Sequence, residues 1–218
     1  MSGKIFSLIS AVLLVGQLCV ADSMVVDVVF VAFDTETTGF SRDDDRLVEI
    51  GAVKFRGDGE VLGATNWLVN PQRDIPVPVS LVHGITTDMV SGAPVFAEIW
   101  AQFSEFCGDA VLLAHNATFD VGFLQAELVR AGLDAPAIPV VDTLPLFRKW
   151  FPRESSHSLG TLTESLGVPG ETYHRAEADS FHIANVFRVG VKTRQELTMR
   201  RFELDAGGFK WLNGRVQR

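Results

Sequence analysis

The 218 residues suffice for one α/β domain with a sizeable core and a short extension, and two full domains would be cramped. With 47% hydrophobic and 21% charged residues, the composition is globular and excludes wholesale disorder. The formal net charge of −8 argues against a nucleic-acid binder, an objection that weakens if acidic groups are gathered around cations that reverse the local field.

Residues 5–20 are almost entirely apolar, follow Lys4 and precede Ala21-Asp22-Ser23. That is the layout of a secretory signal, and it is short for a membrane span. The competing reading is a chain whose true first residue is Met24, because a strand pattern begins immediately after it. Residues 25–33 form a β-rich apolar run, expected as a buried first strand. Residues 47–56 and 61–69 are further strand candidates, with Gly57-Asp58-Gly59 between them as a hairpin signal. Residues 71–78 read as a proline-marked, irregular crossing. Residues 94–107 have helical spacing, with Pro94 suited to a first turn. A short strand at 111–114 precedes a helix at 118–131, capped by Asn116 and stopped near Gly132. Residues 138–141 make a fifth strand, and 159–166 and 177–189 further helices. A meander of three strands, then strands alternating with helices, implies an α/β fold with a five-stranded mixed sheet flanked by helices. After Gly190 the chain holds seven Lys/Arg against three Asp/Glu, interrupted by Gly207-Gly208. The expected organisation is a signal-like or mis-assigned segment at 1–23, a main domain at 24–190 and a basic C-terminal extension at 191–218. The two cysteines, Cys19 and Cys107, have no CxxC or Cys/His zinc spacing, so a disulfide framework is not expected.

The sharpest chemical feature is Asp34-Thr35-Glu36-Thr37-Thr38-Gly39 at the end of the first strand. Side chains alternate along a strand, so Asp34 and Glu36 point to one side. Two carboxylates so close repel unless a cation sits between them, and hard oxygen ligands favour Mg²⁺ or Mn²⁺. Taken alone, an Asp-x-Glu is more often a solvated strand exit. Asp120 lies in register with Leu124, Leu128 and Ala131 on one helix face, and a carboxylate on an apolar stripe needs a partner. It is also where the positive helix N-terminus favours an acid anyway. His174 and Asp179 precede and open another helix, and His174 can take a proton from water near neutral pH.

The runs Asp34-Thr35-Glu36-Thr37-Thr38-Gly39, His115-Asn116-Ala117-Thr118-Phe119-Asp120 and His174-Arg175-Ala176-Glu177-Ala178-Asp179 resemble, in order and spacing, the three motifs of the DEDDh (DnaQ-like) superfamily of 3′–5′ exonucleases. Within it the chain is most similar to the proofreading epsilon subunit of bacterial DNA polymerase III. The resemblance runs over roughly residues 28–188. It implies a ribonuclease H-like fold and a two-metal hydrolysis of phosphodiester bonds with two Mg²⁺ or Mn²⁺ ions. Asp34, Glu36 and Asp179 would hold the ions, with Asp34 bridging them. Asp120 would hold one ion through water, and His174 would be the general base. Thr37, Thr38 and Gly39 would contact the terminal nucleotide, His83 would line the groove, and Phe119 would pack near a base. Phe119 and Phe123 also stand at a helical spacing that more often marks core.

The implied substrate is a DNA 3′ end, single-stranded or frayed, in replication proofreading or repair. The implied partner is a DNA polymerase subunit, and the implied location is cytoplasmic unless residues 1–23 are a working signal. Gln195-Glu196-Leu197-Thr198-Met199 faintly resembles a sliding-clamp peptide. Two other readings compete. One is an RNA-trimming 3′–5′ exoribonuclease, which the same motif set serves. The other is a non-catalytic module that binds nucleic acid or a polymerase, against which the complete acid set argues.

Overall fold

Alternate side chains of β1 (Val29–Thr37) enter two different cores, and the rest of the fold follows from this. Val31 and Phe33 point to one side, Phe30 and Ala32 to the other, and all four are fully buried. The computed structural model describes residues 22–169 and 175–213. The signal-like run and His174 lie outside these residues.

β1 pairs antiparallel with β2 (Leu47–Arg56), and β2 antiparallel with β3 (Val61–Leu68). β4 (Val111–Ala114) runs parallel to β1, and β5 (Pro139–Asp142) parallel to β4. β6 (Lys210–Trp211) closes the order β3-β2-β1-β4-β5-β6. The expected mixed sheet is present. β6 adds a sixth strand, too short at two residues to show any alternation in sequence.

Between β3 and the first long helix the chain forms two short ones, α1 (Val77–His83) and α2 (Thr87–Val90), around a small core of Val48, Ile75, Ile85 and Val90. The expected irregular crossing therefore ends in a helix, with Pro76 as its N-cap and Pro78 in its first turn, where a missing N–H costs nothing. α3 (Phe96–Cys107) and α4 (Thr118–Ala131) cover one face of the sheet. α5 (Thr143–Trp150), α6 (Leu159–Ser165), α7 (Ala176–Lys192) and α8 (Met199–Ala206) cover the other.

Two local expectations change. The run at 25–33 opens as a 3-10 turn over Val25–Asp27, and β1 then continues through the acidic motif to Thr37. The Val25 N–H donates to Leu197 O at 2.8 Å and Met24 bridges to Thr198, so the C-terminal segment captures these residues before the sheet does. Asn116 does not cap α4 with its side chain. It takes a left-handed φ of 61°, which Asn tolerates, and its N–H donates to Asp142 Oδ1 at 3.1 Å.

The stretch after Gly190 is seated against the body. Phe202 is fully buried, with its ring 5.8 Å from Phe30, 5.6 Å from Phe187 and 6.1 Å from Trp150. Asp205 accepts from Trp150 Nε1 at 3.2 Å and pairs with Lys149 at 2.9 Å. Leu197 and Met199 are buried in the same core, so the clamp-like peptide presents neither as an anchor. Among the described residues no helix is long and apolar enough to cross a membrane.

Candidate active site

β4 pairs with β1 only over Phe30 to Ala32, which leaves the end of β1 open on that side. Asp34 and Glu36 stand there, on the same side as Phe30 and Ala32, the side that α7 covers. Asp179 lies in the first turn of α7. Asp34, Glu36 and Asp179 each offer a carboxylate oxygen within 4.8 Å of the others. Thr35 points to the opposite side and donates its hydroxyl to Asp120 Oδ1 at 2.7 Å. Asp120 is 3% exposed, in the first turn of α4, with Leu124 and Leu128 buried on its face and Ala131 exposed. The partner that a carboxylate on an apolar stripe requires is therefore Thr35, together with the positive end of the helix.

Burial pushes the Asp34 carboxyl well above the usual range, and the charges of Asp120, Asp179, Glu36 and Glu49 add to it. Glu36 is pushed up to about 8, first by burial and then by Asp179, Glu49 and Asp120, with Arg175 opposing. Burial also raises Asp120, which the Thr35 hydroxyl partly offsets. Among the described residues no Lys or Arg forms a salt bridge with Asp34 or Glu36, and the nearby Arg175 is engaged by Glu49 at 2.6 Å. An all-oxygen set of crowded carboxylates of this kind suits hard divalent cations.

Thr37, Thr38 and Gly39 turn the chain away from the site. Thr37 Oγ1 donates to Gly39 O at 2.6 Å, and Thr38 Oγ1 to Asp45 Oδ1 at 3.0 Å. A Cβ on Gly39 would lie 2.3 Å from Asp45 Oδ2, so only glycine lets Asp45 close this turn. His83 is buried behind it. Its Nδ1 accepts from the Ile85 N–H at 3.0 Å, which leaves Nε2 as the donor toward Thr37 O at 3.3 Å. Burial holds its pKa below the usual histidine value, so it supports the Thr37 carbonyl as a neutral ring.

Phe123 is core, as its spacing suggests, whereas Phe119 is only half-buried. The Phe119 ring lies 6.5 Å from Phe40, which is 91% exposed. Both line a cleft of about 400 Å³ with Asn116, Thr118 and Arg42. Sequence reading passed over Phe40. Its only signal is an aromatic residue standing between Gly39 and the polar run Ser41-Arg42-Asp43-Asp44-Asp45. His182, for which the sequence suggests no catalytic role, is 2% exposed and its Nδ1 lies 3.2 Å from Asp179 Oδ1. His115 uses both ring nitrogens inside the protein, at 3.0 Å from Thr143 Oγ1 and 2.8 Å from His157 O.

Sheet order and acidic centre together define a ribonuclease H-like α/β protein with a cation-accepting site. Residues 31–187 match the Exonuclease family, RNase_T. The chain is 43% identical over 155 residues to DNA polymerase III subunit epsilon of Treponema pallidum, covering 70% of this chain and 72% of that protein. It is 39% identical over 184 residues to the PolC-type DNA polymerase III of Clostridium perfringens, covering 84% of this chain and 12% of that protein. The structure of Exonuclease X in complex with 5′ overhanging duplex DNA matches with a TM-score of 0.63 at 25% identity, over 81% of this chain and 99% of that one. The chain belongs to the Exonuclease family. It spans about a tenth of the length of its PolC-type relatives.

Proposed function

We propose that this chain removes nucleotides from DNA 3′ ends by metal-dependent hydrolysis, in proofreading or repair. The observation that carries the reading is the convergence of Asp34, Glu36 and Asp179, with oxygens within 4.8 Å of one another and, among the described residues, no Lys or Arg in a salt bridge with Asp34 or Glu36. The polymerase III names of the relatives favour DNA over RNA and a polymerase as partner.

Asp34, Glu36 and Asp179 would hold two Mg²⁺ or Mn²⁺ ions, and Asp120, oriented by Thr35, would hold one of them through water. When bound, the cations neutralise the acids and polarise the scissile phosphate. His174 takes the proton from the attacking water. Thr37, Thr38 and Gly39 offer backbone groups to the terminal nucleotide, with His83 holding Thr37 from behind. Phe40 and Phe119 offer aromatic faces on which a base at the strand end can stack, worth about 1–3 kcal/mol per base. With a net charge of −8, affinity rests on the strand end and the cations rather than on a broad basic surface.

The test is degradation of 5′-labelled single-stranded DNA and RNA of one sequence, with Mg²⁺, by wild type and Asp34→Asn. The wild type is expected to shorten DNA from its 3′ end and release mononucleotides, and the variant to do neither. Efficient cutting of closed circular DNA would refute the exonuclease reading. Faster loss of the RNA strand would transfer it to RNA trimming.

A further inference from the structure

Glu49 is a fifth carboxylate beside the site that no role above uses. In the β1–β2 register it stands directly opposite Glu36, and it is fully buried. A buried charge needs partners, and Glu49 has four bonds. Arg175 reaches Oε1 through Nη2 at 2.6 Å and Oε2 through Nε at 3.2 Å. Asn66 Nδ2 donates to Oε1 at 3.0 Å, and the Ala176 N–H donates to Oε2 at 3.0 Å.

The last of these bonds locates the function. Ala176 opens α7, and its N–H is one of the donors that a helix leaves without an internal partner. Arg175, at the N-cap position, makes no cap bond with its own side chain. Glu49 therefore caps α7 from a neighbouring strand. One turn on, the Ser180 hydroxyl is shared between Ala176 O at 2.7 Å and Gly51 O at 3.0 Å, a second tie between the same strand and the same helix. Asp179 lies on the turn between these two ties.

We propose that Glu49 and Arg175 are a positioning pair, which seats the first turn of α7 on β2 so that Asp179 meets Asp34 and Glu36. Glu49 holds no cation itself, because Arg175 already takes its charge. The inference rests on the exonuclease reading only for the use to which the assembled carboxylates are put. It differs from a purely electrostatic role, in which Glu49 would add negative charge behind the site and geometry would not matter. Arg175→Lys separates the two, since lysine keeps the charge but cannot reproduce the two-pronged fork.

The full chain, wild type and as Glu49→Gln, Arg175→Lys and the double variant, is titrated with Mn²⁺, following the ion by its EPR signal. Melting temperature and nucleolysis of a 5′-labelled single strand are measured alongside. Each single variant is expected to weaken Mn²⁺ binding or lower kcat by about 10–100-fold, the usual loss when a residue supporting metal ligands is removed, while KM for the strand changes little. The double variant should be no worse than the weaker single one, because both remove the same contact. Unchanged Mn²⁺ affinity and kcat in folded Arg175→Lys would overturn the proposal, as would additive losses in the double variant. Should Glu49→Gln fail to fold, Arg175→Lys alone decides. Mn²⁺ binding that weakens in the variants while the wild type itself cuts no nucleic acid would sink the exonuclease reading and leave the positioning pair standing.

Discussion

Gly51→Ala tests how finely the strand-helix junction sets the site. Gly51 faces the start of α7, and an added Cβ would lie 2.1 Å from both Ala176 C and Glu177 N, where ordinary contact begins at 3.4 Å. Relief therefore needs about 1.3 Å of separation (3.4 − 2.1), and the obstacle is backbone, which cannot swing aside as a side-chain tip would. The first turn of α7 must lift, and Asp179 lifts with it. A displacement of about 1 Å at a reacting centre typically costs on the order of 10²-fold in rate. Overpacking by one methyl costs roughly 1–3 kcal/mol, which is roughly 2–4 °C of melting temperature per kcal/mol for a chain this size. The control is Gly63→Ala on β3, where the nearest atom, Phe106 Cε2, is at 3.6 Å in ordinary contact. Single-turnover nucleolysis and thermal melts of both variants, with saturating Mg²⁺, give the comparison. If Gly51→Ala matched Gly63→Ala in rate and melting temperature, the idea that β2 sets the height of Asp179 would be wrong.

Three further outcomes are expected. In the metal-free protein Glu36 is pushed up to about 8 and Asp34 also lies well above its usual range, so the folded state holds more protons than the unfolded one between roughly pH 4.5 and 8. That contribution to stability is complete below this window and is lost as pH rises through it. Melting temperature in EDTA should therefore fall with rising pH and flatten when Mg²⁺ is added, and a metal-free curve that rises instead would contradict the electrostatics of the site. His174→Ala should lower the rate by about 10²–10⁴-fold with a smaller effect on Mn²⁺ binding, and should remove the acid limb of the wild-type pH–rate profile. An unchanged profile in the variant would show that another group takes the proton. Phe202→Ala empties a fully buried position among Phe30, Trp150 and Phe187 and should cost about 3–5 kcal/mol in urea unfolding, whereas a near-neutral result would mean that α8 is not part of the core.

What was legible in the sequence was what local chemistry writes. The β2 run, the β4 run and the bounds of α4 follow from apolar alternation, helical spacing and a stop at Gly132, and the structure has them at Leu47–Arg56, Val111–Ala114 and Thr118–Ala131. The same alternation puts Asp34 and Glu36 on one side of β1, because strand period needs no knowledge of a partner. Tertiary structure alone decided the rest. β1 extends to Thr37 because β2 pairs with it that far, and its first residues are lost to Leu197 and Thr198 across the chain. The basic stretch after Gly190 reads as an extension until Phe202 is seen inside the core and β6 beside β5. Glu49 looks like any polar interruption of a strand, yet its four bonds come from β3 and from the start of α7. Side-chain alternation is set by neighbours within a few positions, whereas pairing register, the capping of α7 by Glu49 and the meeting of Asp179 with Asp34 are set by residues far apart along the chain, which no local pattern encodes.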